Sequence, residues 1–399
     1  MVKILTNLLF AVLCTASAYA QRNCGTYKQQ KNFTDKFPEI ITRTEALKDN
    51  FFLSQGITRS VTIPVVVHII SKDDNQKFTK DQIKNQIKIL NDDFAGKNSD
   101  ITNVPEKFKD LLAGDTGIKF KLIAVTNTRT KQEVFHRQGD SIKFSKSGGK
   151  DLGKYLSSKY LNIWVGSIKD STINGELFGY SSFPWNQEAL TDGVVVNYRY
   201  FGTRGDVANY DKGRTVTHEV GHWLGLLHLW GDKEETDAIC AEDYIDDTPP
   251  QRYSNKECPL FPKLSECDDN EKGELFVNYM DYVYDDCMVM FTAGQKACMN
   301  RNFEEGGLRE GFVKLPATKR FPSITQYIGK KFSWLPVQGA ESYTLRIKSL
   351  DNFQVQNFTT KSTSSEEINL DSSKLYEISV ESTKNDESIS GPTLLINPK

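Results

Sequence analysis

The eleven residues HEVGHWLGLLH, 218 to 228, constrain this chain more than any other stretch. On a helix His218 and His222 stand four apart and leave from one face, so both imidazoles can reach one Zn²⁺ at about 2.0 to 2.1 Å. Glu219 follows the first of them and can hold the metal's water as general base. Gly225 permits a sharp turn at the helix end, and His228, three residues on, can swing back as third ligand. Three protein ligands leave a fourth position open, which a catalytic zinc needs and a structural zinc does not. A bare H-E-x-x-H arises often by chance, but this window also holds the glycine and three of the chain's five histidines. His68, in an apolar run, and His136, in a polar loop, read as structural.

The surrounding pattern is that of an α/β sheet domain. VTIPVVVHII (61 to 70) is a β-branched run typical of a buried strand, and TKDQIKNQIKILNDDF (79 to 94) places Ile83, Ile87 and Leu90 at helical spacing with Thr79 or Asp81 as N-cap. IKFKLIAV (118 to 125), LNIWVGSI (161 to 168) and GVVVNYRYF (193 to 201) read as strands. Before them, residues 21 to about 58 are polar and Lys-rich with no sustained period. After about 317 the chain alternates at period two with no helix, an all-β module. Its Trp334, Pro336, Ala340 and Tyr343 resemble two strands of a fibronectin type III-like sandwich; Trp334 and Tyr343 also read simply as core aromatics.

The first twenty residues have Lys3, an apolar run from Ile4 to Leu13 and the ending Ala18-Tyr19-Ala20, the layout of a secretory signal peptide. Leu13 precedes Cys14, where lipid attachment needs a small residue. No later run reaches the roughly 20 apolar residues of a membrane span, so the expected location is extracellular and the expected state a monomer. A net charge of −2 without a basic block argues against a nucleic-acid partner. Beyond residue 20 stand Cys24 and a cluster of five, Cys240, Cys258, Cys267, Cys287 and Cys298, which reads as a disulfide framework in an oxidising compartment. Four of these allow three pairings, and spacing alone does not choose among them.

H-E-x-x-H-x-x-G-x-x-H is the metzincin signature, whose members also carry a methionine in a turn beneath the metal; NYMDY (278 to 282) offers Met280. With C-x-x-D-x-I-x-D-T-P, D-D-C-M and MFTAGQ, residues 60 to 305 resemble the pappalysin family of metzincin proteases. The resemblance implies a zinc endopeptidase acting on proteins or peptides, with a twisted mixed sheet above an active-site helix and an irregular, disulfide-stapled lower subdomain. It implies the interlaced pairs Cys240 with Cys267 and Cys258 with Cys287, leaving Cys298 a buried free thiol. It gives Tyr282 the role of oxyanion donor; its bland reading is a packed turn aromatic. It also supports calcium at Asp243, Asp246, Asp247 and Thr248, a run that otherwise reads as a solvated acidic turn. Asp286 matches an aspartate at the floor of the primed-side specificity pocket, which implies cleavage before Arg.

Cys24 then has two readings: a thiolate ligand that caps the zinc in a latent precursor, with Arg22 anchored on a cleft carboxylate, or a disulfide with Cys298. The switch predicts a cut at Thr58-Arg59-Ser60, before Arg59. The expected layout is therefore a signal peptide (1 to 20), a propeptide with cysteine switch (21 to 59), a metalloprotease domain (60 to 315) and a fibronectin type III-like domain (316 to 399). Competing readings are a catalytically silent adhesion or binding protein, whose mark would be a lost Glu219 or histidine, and a processing protease of narrow specificity.

Overall fold

The computed structural model describes residues 21–53, 60–186, 188–231, 239–267, 272–313, 322–385 and 387–398. The expected signal peptide, Thr58 and Arg59 lie outside the described residues, and Ser60 is exposed. β1 (Val61–Ser71) is buried along nearly all its length, as its β-branched run on both faces demands. It lies inside a five-stranded sheet of order β2 (Ile118–Arg129), β1, β4 (Leu161–Gly166), β7 (Val194–Asn197), β6 (Gly179–Ser181). The β2, β1, β4 and β7 neighbours pair parallel, and β6 closes one edge antiparallel to β7. A short parallel pair, β3 (Phe135–His136) with β5 (Ile168–Lys169), puts His136 in a strand and not in a loop. His68, in β1, hydrogen-bonds Thr126 and Asn162 at 2.8 and 3.0 Å, and burial lowers its pKa to about 4, so it is a core histidine.

α3 (Lys80–Phe94) starts where Thr79 and Gln82 form a reciprocal capping box, and its Ile83, Ile87 and Leu90 are buried. α4 (Arg214–Trp223) is buried at every position, packed on α3, β6 and β7. Its far end is pinned by a buried ion pair: Arg309 donates to both Asp192 oxygens at 2.7 and 3.0 Å, and its guanidinium lies 3.7 Å from the Trp223 ring centroid. From Leu224 to α5 (Ala293–Asn300) the described chain has little regular structure. Disulfides Cys240–Cys267 and Cys258–Cys287 staple that lower half, and Cys298 is a buried free thiol in α5.

Two helices, α1 (Thr26–Lys36) and α2 (Ile41–Leu53), occupy the segment whose polar composition gave no period. Their apolar residues are few, but Phe51 of α2, and Phe37 and Ile40 between the two helices, are buried against other parts of the molecule. Docking, more than amphipathic pattern, makes this segment helical. The C-terminal region is antiparallel. β8 (Ile324–Ile328) pairs with β9 (Lys331–Trp334), and β11 (Val355–Thr360), β10 (Ser342–Ser349), β12 (Tyr376–Lys384) and β13 (Glu387–Ser390) form one sheet with β14 (Leu394–Ile396) on β12. Trp334 and Tyr343 are buried in its core.

Replacing Asp192 by Ala leaves Arg309 buried without its counter-charge. Chemical denaturation should show a loss of about 3 to 5 kcal/mol, and a loss under about 1 kcal/mol would contradict the pin.

Candidate active site

The helix α4 delivers His218 and His222 as its spacing requires. Chain reversal after it depends on Gly225, whose φ of +97° is a left-handed conformation that strains any side chain. The reversal brings His228 back, so that its Nε2 lies 3.0 Å from that of His222, itself 3.1 Å from that of His218. Each of the two helical rings uses Nδ1 elsewhere: His218 on the Tyr279 carbonyl and His222 on the Leu226 carbonyl, both at 2.7 Å. A carbonyl only accepts, so Nδ1 carries the proton and Nε2 presents a lone pair. Lone pairs facing one another at 3 Å repel unless a cation lies among them. Burial lowers the pKa of all three imidazoles, His222 down to about 4 and His218 and His228 well below the usual value, which favours the neutral ligand form. The donor set therefore fits a tetrahedral zinc with imidazole ligands.

A fourth ligand atom is already there. Cys24 Sγ and the three histidine nitrogens lie within 4.8 Å of one another, and among the described residues this is the one group of His, Cys, Asp or Glu side chains so gathered. No Cys24–Cys298 disulfide forms. Cys24 reaches the site because residues 23 to 25 run along the edge of the sheet. The Phe178 N–H donates to the Asn23 carbonyl at 3.0 Å and the Gly25 N–H to the Gly179 carbonyl at 2.9 Å, extending the sheet by a parallel bridge at β6. Glu219 lies beside the thiol. Its Oε2 accepts from Thr26 Oγ1 at 3.0 Å and from Cys24 Sγ at 3.5 Å, and burial pushes its carboxyl up to about 8 against those hydrogen bonds. Burial, and then the charge of Glu219, raise the Cys24 thiol as well. Thr26 had no signal in the sequence.

Met280 is fully buried beneath the helix; a Cβ on Gly221 would meet its sulfur at 2.5 Å. The neighbouring Asp281 holds the turn by accepting from the backbone N–H groups of Asn255 and Tyr282, both at 2.7 Å. Tyr282 is buried, with its ring against His228 and Trp230 and its hydroxyl accepting from the Cys24 N–H at 3.3 Å.

The two acidic expectations fare differently from the histidines. Asp286 is 62 % exposed and pairs with Lys212 at the surface, so it is not the floor of a pocket. The buried carboxylate is its neighbour Asp285, 1 % exposed, which binds the Arg22 guanidinium at 2.5 Å and accepts from the Lys212 and Arg214 N–H groups. Arg22 also donates to Thr215 at 3.1 Å, and the Phe178 and Tyr210 rings flank its guanidinium at 5.7 and 5.3 Å. Burial pushes the Asp285 carboxyl up while Arg22 opposes it, so the pocket favours a cation. As for calcium, Asp243 and Thr248 are buried together, and the second Asp243 oxygen is buried without a hydrogen-bond partner. Asp243 accepts from Thr248 and from the Ile245 N–H, Asp247 accepts from Thr292 and the Gly294 N–H at the start of α5, each at 2.7 Å, and Asp246 is exposed.

Compared with known proteins, a family profile described as pregnancy-associated plasma protein-A, in peptidase family M43, matches residues 152–304. Mature mirolysin of Tannerella forsythia, solved in complex with a cleaved peptide, is 40% identical over 64% of this chain and 96% of that one, with a TM-score of 0.59. The chain belongs to the pappalysin family. A mutant of promirolysin from the same organism is 37% identical to this pappalysin over 73% of this chain and 97% of that one, with a TM-score of 0.65. An extracellular metalloprotease of Arthroderma benhamiae is 28% identical over 294 residues, 72% of this chain and 87% of that protein. This pappalysin is accordingly a metalloendopeptidase on a metzincin fold, a family that implies zinc. Among the described residues no helix is long and apolar enough to cross a membrane.

Gly225→Ala should strain the bend by about 1 to 3 kcal/mol and lower the zinc retained after dialysis against a weak chelator. Full retention at unchanged stability would mean that the bend does not set the position of His228.

Proposed function

We propose that this pappalysin is an exported zinc endopeptidase that cleaves on the N-terminal side of arginine and is made as a latent precursor. The observation that carries this reading is the pair of grips from one short stretch: Arg22 in the Asp285 pocket and Cys24 among the three histidines. In the proposed layout residues 1–20 are the signal peptide, 21–59 the propeptide, 60–315 the catalytic domain and 316–399 a fibronectin type III-like module. Export is supported by the extracellular relatives.

His218, His222 and His228 would hold the metal. When bound, zinc supplies Lewis acidity to a scissile carbonyl and makes water a nucleophile near neutral pH. Glu219 takes the proton of the attacking water on its carboxylate and returns it to the leaving nitrogen. In the precursor the Glu219 Oε2 already accepts from Thr26 and Cys24, so the base is occupied until residues 22 to 26 leave. The Tyr282 hydroxyl, which accepts from the Cys24 N–H in the precursor, becomes free to donate to the oxygen on which negative charge develops. Asp285 and Thr215 bind an arginine guanidinium in place of Arg22, fixing the residue that follows the cut bond. A peptide presenting Arg59 would satisfy that pocket, which supports autoactivation before Arg59.

Mass spectrometry of cleavage products from a peptide library checks this. Arginine should dominate immediately after the cut, and Asp285→Asn should remove that preference while Asp286→Ala leaves it intact. A library profile with no basic preference would refute the assignment. Cys24→Ala should give an active, prematurely processed protein, detected by hydrolysis of casein that chelator and Glu219→Ala both abolish; a Cys24→Ala precursor that stays latent would refute the switch.

A further inference from the structure

The latent segment touches the molecule in a third place, far from the zinc helix. Phe33 in α1, and Phe37 and Ile40 in the connection from α1 to α2, pack on Leu350, Leu375 and Leu395 of the C-terminal β unit. Phe37 is 3 % exposed and Ile40 1 %, so this is a closed apolar contact. Charge and polarity follow the same line. Arg43 pairs with Glu377 of β12 at 3.0 Å, and Lys36 donates to the Asn397 side chain at 3.4 Å. Asn397 is itself held in place, its amide donating to the Ser372 and Lys374 carbonyls and its N–H to Glu188 of the catalytic domain at 3.1 Å. The β unit is fixed to the catalytic domain beside that point. The Ala189 N–H donates to the Leu395 carbonyl at 2.8 Å, and Leu156 and Ala189 join the buried cluster that holds Trp334 and Tyr343. α1 also touches the catalytic domain, where Asn32 donates to the Gln138 carbonyl at 3.0 Å. α1 thus contacts both bodies, which are joined to each other at Glu188 and Ala189.

From this geometry we infer that the C-terminal β unit is a docking surface for residues 33 to 43 of its own chain, and that it retains the pro-segment after the chain is cut ahead of β1. A cut there removes the covalent tie and leaves both grips. Two contacts made by one folded segment reinforce each other, because release at either end leaves the other holding it at high effective concentration. Latency then ends in two steps, cleavage and undocking, and the β unit governs the second. This rests on the reading of residues 21 to 59 as a pro-segment.

The test uses the full chain carrying Glu219→Gln, to stop self-digestion, with a foreign protease site in place of residues 54 to 59 and a fluorophore at the N-terminus. After cutting, the labelled segment should co-elute with the rest of the protein. Phe37→Ala with Ile40→Ala should speed its dissociation by about a hundredfold or more, as loss of two closed apolar contacts would. Both side chains lie in the segment that leaves, so thermal melting of the remaining body should not change. Dissociation within about twofold of the unmodified chain would overturn the proposal, as would release complete at once in the unmodified chain. The underlying reading fails separately: if the same cut chain with Glu219 restored hydrolyses casein while the labelled segment is still bound, docking stands and latency does not.

Discussion

Three imidazoles gathered so that the Nε2 atoms of His218 and His228 lie 3.1 and 3.0 Å from that of His222 are the constraint around which the rest of this molecule is arranged. Left to themselves they repel. The structure keeps them together by fixing two rings through backbone carbonyls, burying α4 on every side, wedging Met280 under Gly221, and locking the far end of the helix with Arg309 and Asp192. Each device acts on ring position and leaves the Nε2 atoms uncommitted to hydrogen-bond donors. A donor set so built fits a cation, and a metal bound there would favour the folded state.

The same logic explains why the latent segment enters as a set of mimics. Arg22 supplies the cation that Asp285 needs, Cys24 supplies a soft donor, and Thr26 supplies a proton donor to Glu219. Arg22 and Thr26 each answer a buried carboxylate, and a buried carboxylate without a counter-charge or donor costs more than an ordinary surface contact returns. An inhibitor assembled from such answers reads out the needs of the site one by one.

How much of this was legible follows from where the sequence has a period. Four-residue spacing in α4 and β-branched runs in β1, β4 and β7 have direct geometric meaning, and the strands and the histidine cluster stand close to where those patterns put them. In the lower half no period exists. Asp285 and Asp286 are adjacent in an irregular loop, so nothing in the order of residues says that Asp285 turns inward while Asp286 stays at the surface. In the acidic run from Asp243 to Thr248 one Asp243 oxygen serves the turn and Asp247 caps α5, while the other Asp243 oxygen is buried without a hydrogen-bond partner, a division that the order of residues does not announce. α1 and α2 escaped notice for a related reason: their helical state comes from a handful of docked side chains, and composition reports only the polar majority.

The strand pairing at β6 carries a consequence of its own. β6 is an edge strand of only three residues, and the Asn23 to Gly25 segment covers its outer side. A hydrogen-bonding edge that can accept a peptide backbone can equally accept the edge of another molecule, which is how sheet proteins aggregate. With residues 23 to 25 along β6, that edge is already filled by the chain's own backbone and offers no template to a second molecule.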